Sequence, residues 1–472
     1  MKRSVRRTKI VATLGPASTS GEVIRQLIQA GMDVARLNFS HSTHEDHARS
    51  ISLLRKISAE CDTPVTILQD LQGPKIRVGQ LPGGTLTLEH GTEVTLIPAG
   101  EFSGQPATIP IDYPQLAEEA TPGMQILLAD GLLELKSVDV SGRAVRCRVI
   151  EGGILKNRQG VNFPSLSLRL PSLTEKDKRD LEFGLAQGVD WISLSFVRRA
   201  DDIRVLKAVL AQKGSATPII AKIERPQAIE HLEEIANEAN GLMVARGDLG
   251  VEMSPEKVPL LQKRIIELCN HKGLPVITAT QMLESMIHEP RPTRAEASDV
   301  ANAIIDGTSA VMLSGETTIG AYPVKAVEMM ARIAVEVEER IEFKSYPPAE
   351  HTATHALSEA ANVIAKVVQP QCIVVLTTSG FTARLAAAER TKTPVIALTT
   401  SPQVYHGLNL LWGVTPLLVR REAETFEGLV ELAETTLLER KLVASGDKMV
   451  VIGGIPAKQR RGTNFIKIHT VH

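Results

Sequence analysis

Residues 218–250 read PIIAKIERPQAIEHLEEIANEANGLMVARGDLG. Two short apolar runs, "PIIAKIE" and "GLMVARGDLG", enclose a segment of helical period, "PQAIEHLEEIANEA". Each run ends in charge: Lys222 and Glu224 on the first, Arg246 and Asp248 around Gly247 on the second. A strand that looks buried and stops at two opposite charges is a solvated surface turn, an Arg-Gly-Asp adhesion signal or part of a ligand site. The adhesion reading needs an exposed loop on an exported protein, and nothing else in the chain looks exported. How the other strands end decides between the remaining two.

The same strand-then-helix rhythm runs through most of the chain. "KIVATLG" precedes the helical "SGEVIRQLIQAG", "DVARLNFS" precedes "THEDHARSISLLRKISAEC", and "VTILQDLQG" forms a third strand. After it, residues 73–171 change character, with short alternating segments rich in Gly and Pro and no strong helix, which reads as a small inserted all-β domain in barrel form. The rhythm resumes with "TEKDKRDLEFGLAQG", then "WISLSF", the opening pair of strands, "PVITATQ" and "SAVMLSGET", each with its helix. Eight such units favour a closed (β/α)8 TIM barrel over an open sheet, built from residues 1–72 and 172–342. Beyond the linker "KSYPPAEHT", residues 350–472 alternate again as a separate α/β domain.

In such a barrel, chemistry gathers at the C-terminal ends of the strands. Those ends carry Arg36, Asn38 and Ser40, then Asp70, Ser195, Lys222 with Glu224, Arg246 to Asp248, Thr280 with Gln281, and Ser314 with Glu316. Seven ends supplying charges or hydroxyls make one polar funnel. Lys222 and Glu224, two apart on a strand, share a face. Glu224 and Asp248, on neighbouring strands, can reach one oxygen-loving ion, and two carboxylates with open water positions suit Mg²⁺ or Mn²⁺. Histidine is missing from the set, which speaks against zinc. Gly247 and Asp248 precede a short helical turn whose N–H groups attract an anion, and Arg36 and Arg77 add bidentate positive charge. Together these parts suit stabilisation of a phosphoryl group in transit.

Composition agrees. The 472 residues are 43% hydrophobic and 23% charged, and 53 Lys plus Arg against 54 Asp plus Glu leave a net charge of -1, so nucleic acid and anionic membranes are not expected as partners. Cys61, Cys147, Cys269 and Cys372 have no Cys-x-x-Cys spacing and suit a reducing, cytoplasmic setting. No secretory apolar core follows "MKRSVRR", and no run approaches the roughly 18 apolar residues of a membrane span.

The motifs "RLNFSH", "DLQGPKIR", "AKIE", "MVARGDLG", "ITATQMLESM", "PTRAEASDVANAIIDG" and "VMLSGET", in this order, resemble those of the pyruvate kinase family. The resemblance implies a barrel with a mobile lid, a C-terminal domain that binds effectors, and a homotetramer. It implies transfer of the phosphoryl group of phosphoenolpyruvate to ADP, giving pyruvate and ATP. Glu224 and Asp248 match the ligands of the divalent ion, Lys222 the charge stabiliser, and Thr280 the neighbour of the substrate's methylene carbon. Gly247 lets the backbone approach the substrate carboxylate, and Arg246 orients its neighbours. Arg36 and Arg77 match phosphate contacts, and Ser314 matches the relay toward the enolate. Asn38, His41, Arg77 and lid residue Arg158 are expected on the nucleotide side. K⁺-dependent members hold a monovalent cation near the positions of Asn38, Ser40, Asp70 and Leu71, with a glutamate where this chain has Lys75, so the resemblance implies that K⁺ is not required. A Mg²⁺-dependent lyase or aldolase on the same barrel is the alternative.

In the C-terminal domain "LTTSGFTAR" runs from a strand through a hydroxyl-rich turn into a helix. Thr377, Thr378, Ser379 and Thr382, with Gly380 for close approach, form a phosphate cradle or a simple helix cap. The turn matches the family's effector loop, with Thr378 and Phe381 in place of basic residues of fructose-1,6-bisphosphate-regulated relatives. A monophosphate effector, a hexose or pentose phosphate or AMP, is therefore expected, with Lys458, Arg460 and Arg461 as further candidates.

Overall fold

Eight parallel strands close on themselves in the computed structural model, which describes residues 6–472 except 165, 167, 168, 347–351, 422, 424 and 456–461. They are β1 (Lys9–Thr13), β2 (Val34–Asn38), β3 (Thr66–Asp70), β4 (Trp191–Leu194), β5 (Ile219–Ile223), β6 (Gly241–Ala245), β7 (Val276–Ala279) and β8 (Ala310–Leu313). The ring runs β1-β8-β7-β6-β5-β4-β3-β2. Helices pack outside it, and their letters explain their limits. Ser20 caps the helix Gly21–Ala30, which ends at Gly31 in the left-handed region with φ 119. Capping boxes of Thr43 with Asp46, Thr174 with Asp177 and Thr293 with Glu296 start three more.

Strand parity positions the site. Val11, Val34, Leu68, Trp191, Ile220, Met243, Ile277, Ala310 and Met312 form one buried cluster inside the ring, while their sequence neighbours Ile10, Ala35, Ile67, Ile192 and Ala221 pack toward the helices. Two residues on from an inward side chain lies another. Val34 therefore leads to Arg36 and Asn38, Leu68 to Asp70, Trp191 to Ser193, and Ile220 to Lys222. In register, Asn38 pairs with Asp70 and Asp70 with Ser193.

The insertion forms a six-stranded curled sheet, in the order Val161–Asn162, Gln125–Leu128, Leu133–Ser141, Ala144–Glu151, Glu93–Pro98 and Thr108–Ile111. Among the described residues no full strand closes it. Instead Val78 bridges to Ile111 and Arg77 to Gly160, so the segment entering from β3 staples its two edges. A ribbon of Thr85–Leu88 with Gly153–Lys156 and a short helix, Leu116–Glu119, complete it. The C-terminal sheet holds Cys372–Leu376, Val395–Thr399, Val414–Leu418 and Lys448–Gly453 in parallel, with Phe465–Thr470 antiparallel at one edge.

Two expectations change in detail. The helix expected over "PQAIEHLEEIANEA" breaks at His231 into Pro226–Glu230 and Leu232–Glu238. The helix after β6 starts at Arg246, so Gly247 and Asp248 lie in its first turn rather than before it. Most of the "PPAEHT" part of the linker and Lys458, Arg460 and Arg461 lie outside the described residues. Among the described residues no helix is long and apolar enough to cross a membrane, and all four cysteines are free.

Candidate active site

The inward side chains at the mouth of the ring form a chain of alternating charge. Arg36 Nε donates to Asp70 Oδ2 at 2.7 Å, and Arg36 Nη1 donates to Thr13 Oγ1 at 3.0 Å. Asp70, 1% exposed, accepts from Ser193 Oγ on Oδ1, and Lys222 Nζ stands 3.5 Å from its Oδ2. Lys222 Nζ also donates to Ser195 Oγ at 2.8 Å and pairs with Glu224 Oε1 at 2.8 Å. Glu224, 1% exposed, takes the N–H of Phe196 on Oε2 at 2.8 Å.

This packing sets the protonation states. Burial pulls the Lys222 ammonium down, but Asp70 and Glu224 outweigh it and hold its pKa above the usual lysine range. Burial pushes Asp70 up, yet Lys222 and Arg36 bring it below the usual carboxylate range. Glu224 goes the other way. Burial raises it, Lys222 opposes, and the charge of Asp248 raises it further.

Asp248 is half-buried, and among the described residues no hydrogen bond or ion pair engages its carboxylate. A carboxylate whose proton affinity is raised by a second, unpartnered carboxylate favours a shared cation. Oxygen donors without histidine or thiolate suit a hard ion such as Mg²⁺ or Mn²⁺. The donor set therefore fits the expected metal, with substrate oxygens and water for the remaining positions.

Arg246 reaches away from the funnel. Its guanidinium pairs with Asp299 at 2.7 Å and donates to the carbonyl oxygens of Ala279 and Thr280, which straps the end of β6 to that of β7. Thr280, at φ 70, and Gln281, at φ 52, are both left-handed, a strained path that turns the Thr280 hydroxyl back to accept the Gly247 N–H at 2.7 Å. That N–H is therefore occupied by the protein and not free for an anion. A Cβ on Gly247 would meet nothing nearer than Thr280 Oγ1 at 3.4 Å, so the protein itself leaves room for a side chain there. Glu316 faces inward to the protein, accepting from the Ser314 and Leu283 N–H groups. The Ser314 hydroxyl has no hydrogen bond among the described residues.

The nucleotide-side candidates straddle barrel and insertion. Asn38 Oδ1 accepts from Ser40 N–H at 3.1 Å. The exposed His41 is held below its usual pKa by burial and then by Arg77, Arg36, Lys75 and Lys176, which places it in a field of four cations. Arg77 Nη1 donates to the Arg158 carbonyl at 3.0 Å, and Arg158 itself is exposed at φ 60. Lys75 lies along the seam, its Cε 3.3 Å from where a Gly160 Cβ would be, and Leu71 is 1% exposed. Ser193 and Thr13 escaped the sequence reading. Both follow from strand parity, Ser193 two residues before Ser195 and Thr13 at the end of the strand whose terminus was not read.

The C-terminal turn lies apart, around a cavity of about 500 Å³ lined by Thr377, Thr378, Ser379, Thr382, Thr400 and Arg421 among others. Gly380 is left-handed at φ 83 and donates to Thr377 Oγ1, while Ser379 Oγ accepts from the Phe381 N–H at 3.4 Å, a weak cap. Thr382 turns inward to Thr463 at 2.6 Å. The Thr378 hydroxyl makes no hydrogen bond among the described residues. Arg421 was missed because it follows a different strand.

Comparisons with known proteins bear on this geometry. The family described as "Pyruvate kinase, barrel domain" matches residues 5–327, and that described as "Pyruvate kinase, alpha/beta domain" matches 355–469. The chain is 48% identical to "Pyruvate kinase 2" of Synechocystis over 474 residues, covering 99% of this chain and 79% of that one. It is 44% identical to the pyruvate kinase of Geobacillus stearothermophilus over 477 residues, covering 99% and 80%. A crystal structure of a pyruvate kinase from Cryptosporidium parvum superposes with a TM-score of 0.93 at 35% identity, covering 99% of this chain and 97% of that one.

Proposed function

The chain belongs to the pyruvate kinase family, and on that premise we propose how its own residues carry the phosphoryl group from phosphoenolpyruvate to ADP. It is a phosphotransferase, and the relatives compared are pyruvate kinases rather than lyases or aldolases. The observation that carries the site reading is the interlocked set Arg36, Asp70, Lys222 and Glu224 beside the unpartnered Asp248.

Glu224 and Asp248 would hold Mg²⁺ or Mn²⁺, which when bound supplies positive charge to the substrate's carboxylate and phosphate-bearing oxygen. Lys222, kept protonated by Asp70 and Glu224, is a fixed charge and not a proton donor. It stabilises the phosphoryl group in transit and the enolate left behind, where a preformed charge in a dry site acts most strongly. Arg36 binds the phosphate with the plane of its guanidinium set by Asp70 and Thr13. Arg77, Arg158, Asn38 and His41 face the nucleotide. The bond from phosphorus to the enol oxygen breaks as one to the terminal oxygen of ADP forms, giving ATP. The enolate then takes a proton on its methylene carbon beside Thr280, through a relay that includes Ser314, and leaves as pyruvate. Coupled turnover with phosphoenolpyruvate, ADP and Mg²⁺ tests this, and no ATP formation sinks it.

Several finer readings belong to the same proposal. The catalytic barrel spans 1–72 and 172–342, the lid 73–171 and the regulatory domain 350–472. Thr377, Thr378, Ser379, Gly380 and Thr382 bind a phosphorylated effector, supported by the cavity they line and the nearby Arg421. A homotetramer is supported by the exposed Val363, Val367 and Ile468 on a helix and strand that pack together in the C-terminal unit. A cytoplasmic setting is supported by the free cysteines.

A further inference from the structure

One buried carboxylate joins three separate pieces of the molecule at the edge of the site. Glu252, the last residue of the helix Arg246–Glu252, is 4% exposed. Its Oε1 accepts from Asn162 Nδ2 at 2.7 Å and lies 3.3 Å from Arg225 Nη1, while its Oε2 is shielded and has no partner among the described residues. Asn162 belongs to the edge strand of the inserted sheet, and Arg225 directly follows Glu224 at the end of β5. Glu252 stands about one helical turn beyond Asp248. Arg225 is itself braced over the Phe196 ring at 5.2 Å, and the Phe196 N–H is the group that holds Glu224. A second touch lies nearby, where the turn at Gly131 of the inserted sheet reaches Val251, 3.6 Å from a Cβ at that glycine.

We propose that Asn162, Glu252 and Arg225 are positioning residues that register the inserted sheet on the helix carrying Gly247 and Asp248. Docking of the sheet and assembly of the substrate site then become one equilibrium. An ionised carboxylate only accepts, and the amide and the guanidinium only donate to it, so the set is complementary when the sheet is docked. Undocking removes the amide and leaves a buried carboxylate with one donor fewer, which favours the docked arrangement. The inference rests on the reading of Asp248 as part of the substrate site. It predicts a particular kinetic signature: if only the docked fraction binds substrate, loss of the Asn162 contact raises KM by the inverse of that fraction and leaves kcat at saturation nearly unchanged.

The test uses the full-length enzyme. Asn162→Leu is expected to raise KM for phosphoenolpyruvate about tenfold, with kcat within about twofold and an unchanged melting temperature. Asn162→Asp sets one carboxylate against another and should raise KM further. Adding Glu252→Gln to it restores a carboxylate and amide pair with the roles exchanged, and should recover most of the loss. Amide hydrogen exchange across Val161–Asn162 should quicken in Asn162→Leu without substrate. An unchanged KM and unchanged exchange in Asn162→Leu, or a double variant no better than Asn162→Asp, overturns the proposal. A wild-type enzyme inactive with phosphoenolpyruvate would instead overturn the functional reading, and the exchange experiment would still report on docking.

Discussion

At the mouth of the barrel Arg36, Asp70, Lys222 and Glu224 are linked in that order by ion pairs. At the base the buried Arg390 meets no carboxylate among the described residues. Arg390 instead rests over the Trp412 ring at 4.6 Å and donates to Asn270 Oδ1 and the Gly307 carbonyl, both at 2.7 Å. Burial pushes its pKa down to about 10. Beside the ion pairs of Arg6 with Asp33 at 2.6 Å and of Arg55 with Asp190 at 2.9 Å, neutral acceptors join the C-terminal unit to the base. Asn409 donates to the carbonyls of Asp33 and Pro64, Thr66 to that of His406 and Trp191 to that of Gly407, while Leu410 of the C-terminal unit enters the apolar cluster inside the barrel. At the base Asp33 and Asp190 each already hold an arginine, while Arg390 Nη1, His406 Nδ1 and Trp412 Nε1 are buried without a partner among the described residues. At the mouth one carboxylate is unpartnered and another has a raised proton affinity, so an incoming cation and anion can regroup the charges there. The contrast marks one end as reactive and the other as a joint.

The largest effect should come from removing the one cation at the centre of the mouth. Lys222→Met leaves Asp70 and Glu224 without their shared partner and takes away the charge proposed to meet the transferring phosphoryl group. A loss of about 10²–10³ in kcat is expected. Wild-type turnover in that variant would break the contrast between the two ends. Glu224→Gln and Asp248→Asn come next. Each removes half of the proposed ion-binding charge, so Mn²⁺ affinity, read by paramagnetic resonance without turnover, should weaken at least about tenfold, since even groups behind the ligands typically cost that much. An unchanged Mn²⁺ affinity in both variants would place the ion elsewhere.

The joint at the base should answer to pH. His406 lies in the joint, and burial, with help from Arg55, lowers its pKa to about 4. The unfolded imidazole takes its proton near pH 6.5, so between there and about 4 the unfolded state binds more protons and is favoured as pH falls. Stability from this residue is thus present above 6.5 and lost on acidification, by about 2 kcal/mol allowing for its partial exposure. Melting temperatures of wild type and His406→Gln across this range should converge toward acid. Parallel curves would remove His406 from the acid response.

The same contrast explains what the letters revealed. At the mouth Arg36, Asp70 and Lys222 lie two residues beyond an inward apolar side chain of their own strand and Glu224 four beyond Ile220, so all four could be read from alternation and strand ends. The Lys222 contact with Asp70 reaches across the intervening β4, whose Ser193 meets Asp70 and past whose end Ser195 accepts from Lys222. At the base the contacts join residues hundreds of positions apart, such as Thr66 with His406, and no local period announces them. The Asn162 and Glu252 contact was hidden for a similar reason, since a short edge strand gives no period to read. Gly247 shows a subtler limit: its backbone was legible as an approach point, but not that the Thr280 hydroxyl already takes its N–H. The C-terminal turn at residues 377–382 falls between these cases. Its hydroxyls were legible, while Arg421, beyond the end of a different strand, was not. If a phosphate binds there, Thr378→Ala/Ser379→Ala should weaken activation by a sugar monophosphate or AMP several-fold, as two neutral hydrogen bonds would. An activation curve identical to wild type would move the effector away from the turn.

The smallest expected effect is itself informative. A bound monovalent cation matters to a site that carries uncompensated negative charge, and here the Asp70 carboxylate already meets Arg36 and Lys222 on Oδ2 and the Ser193 hydroxyl on Oδ1. Lys75 adds a covalently tethered ammonium on the segment that leaves β3, and the lowering of His41 shows that its charge is felt beside Arg77 and Arg36. A tethered charge is present at any salt concentration, whereas a bound K⁺ is present only above its dissociation constant. Activity in a buffer free of Na⁺ and K⁺ should therefore rise by no more than about twofold on adding K⁺, the range left to general salt screening. Lys75→Glu should convert the enzyme to one that K⁺ activates strongly, because the new carboxylate replaces a tethered cation with a negative charge. Strong stimulation of the wild type by K⁺, or a Lys75→Glu variant that stays indifferent to it, would show that Lys75 does not stand in for the ion and that charge at the mouth is balanced by solution cations after all.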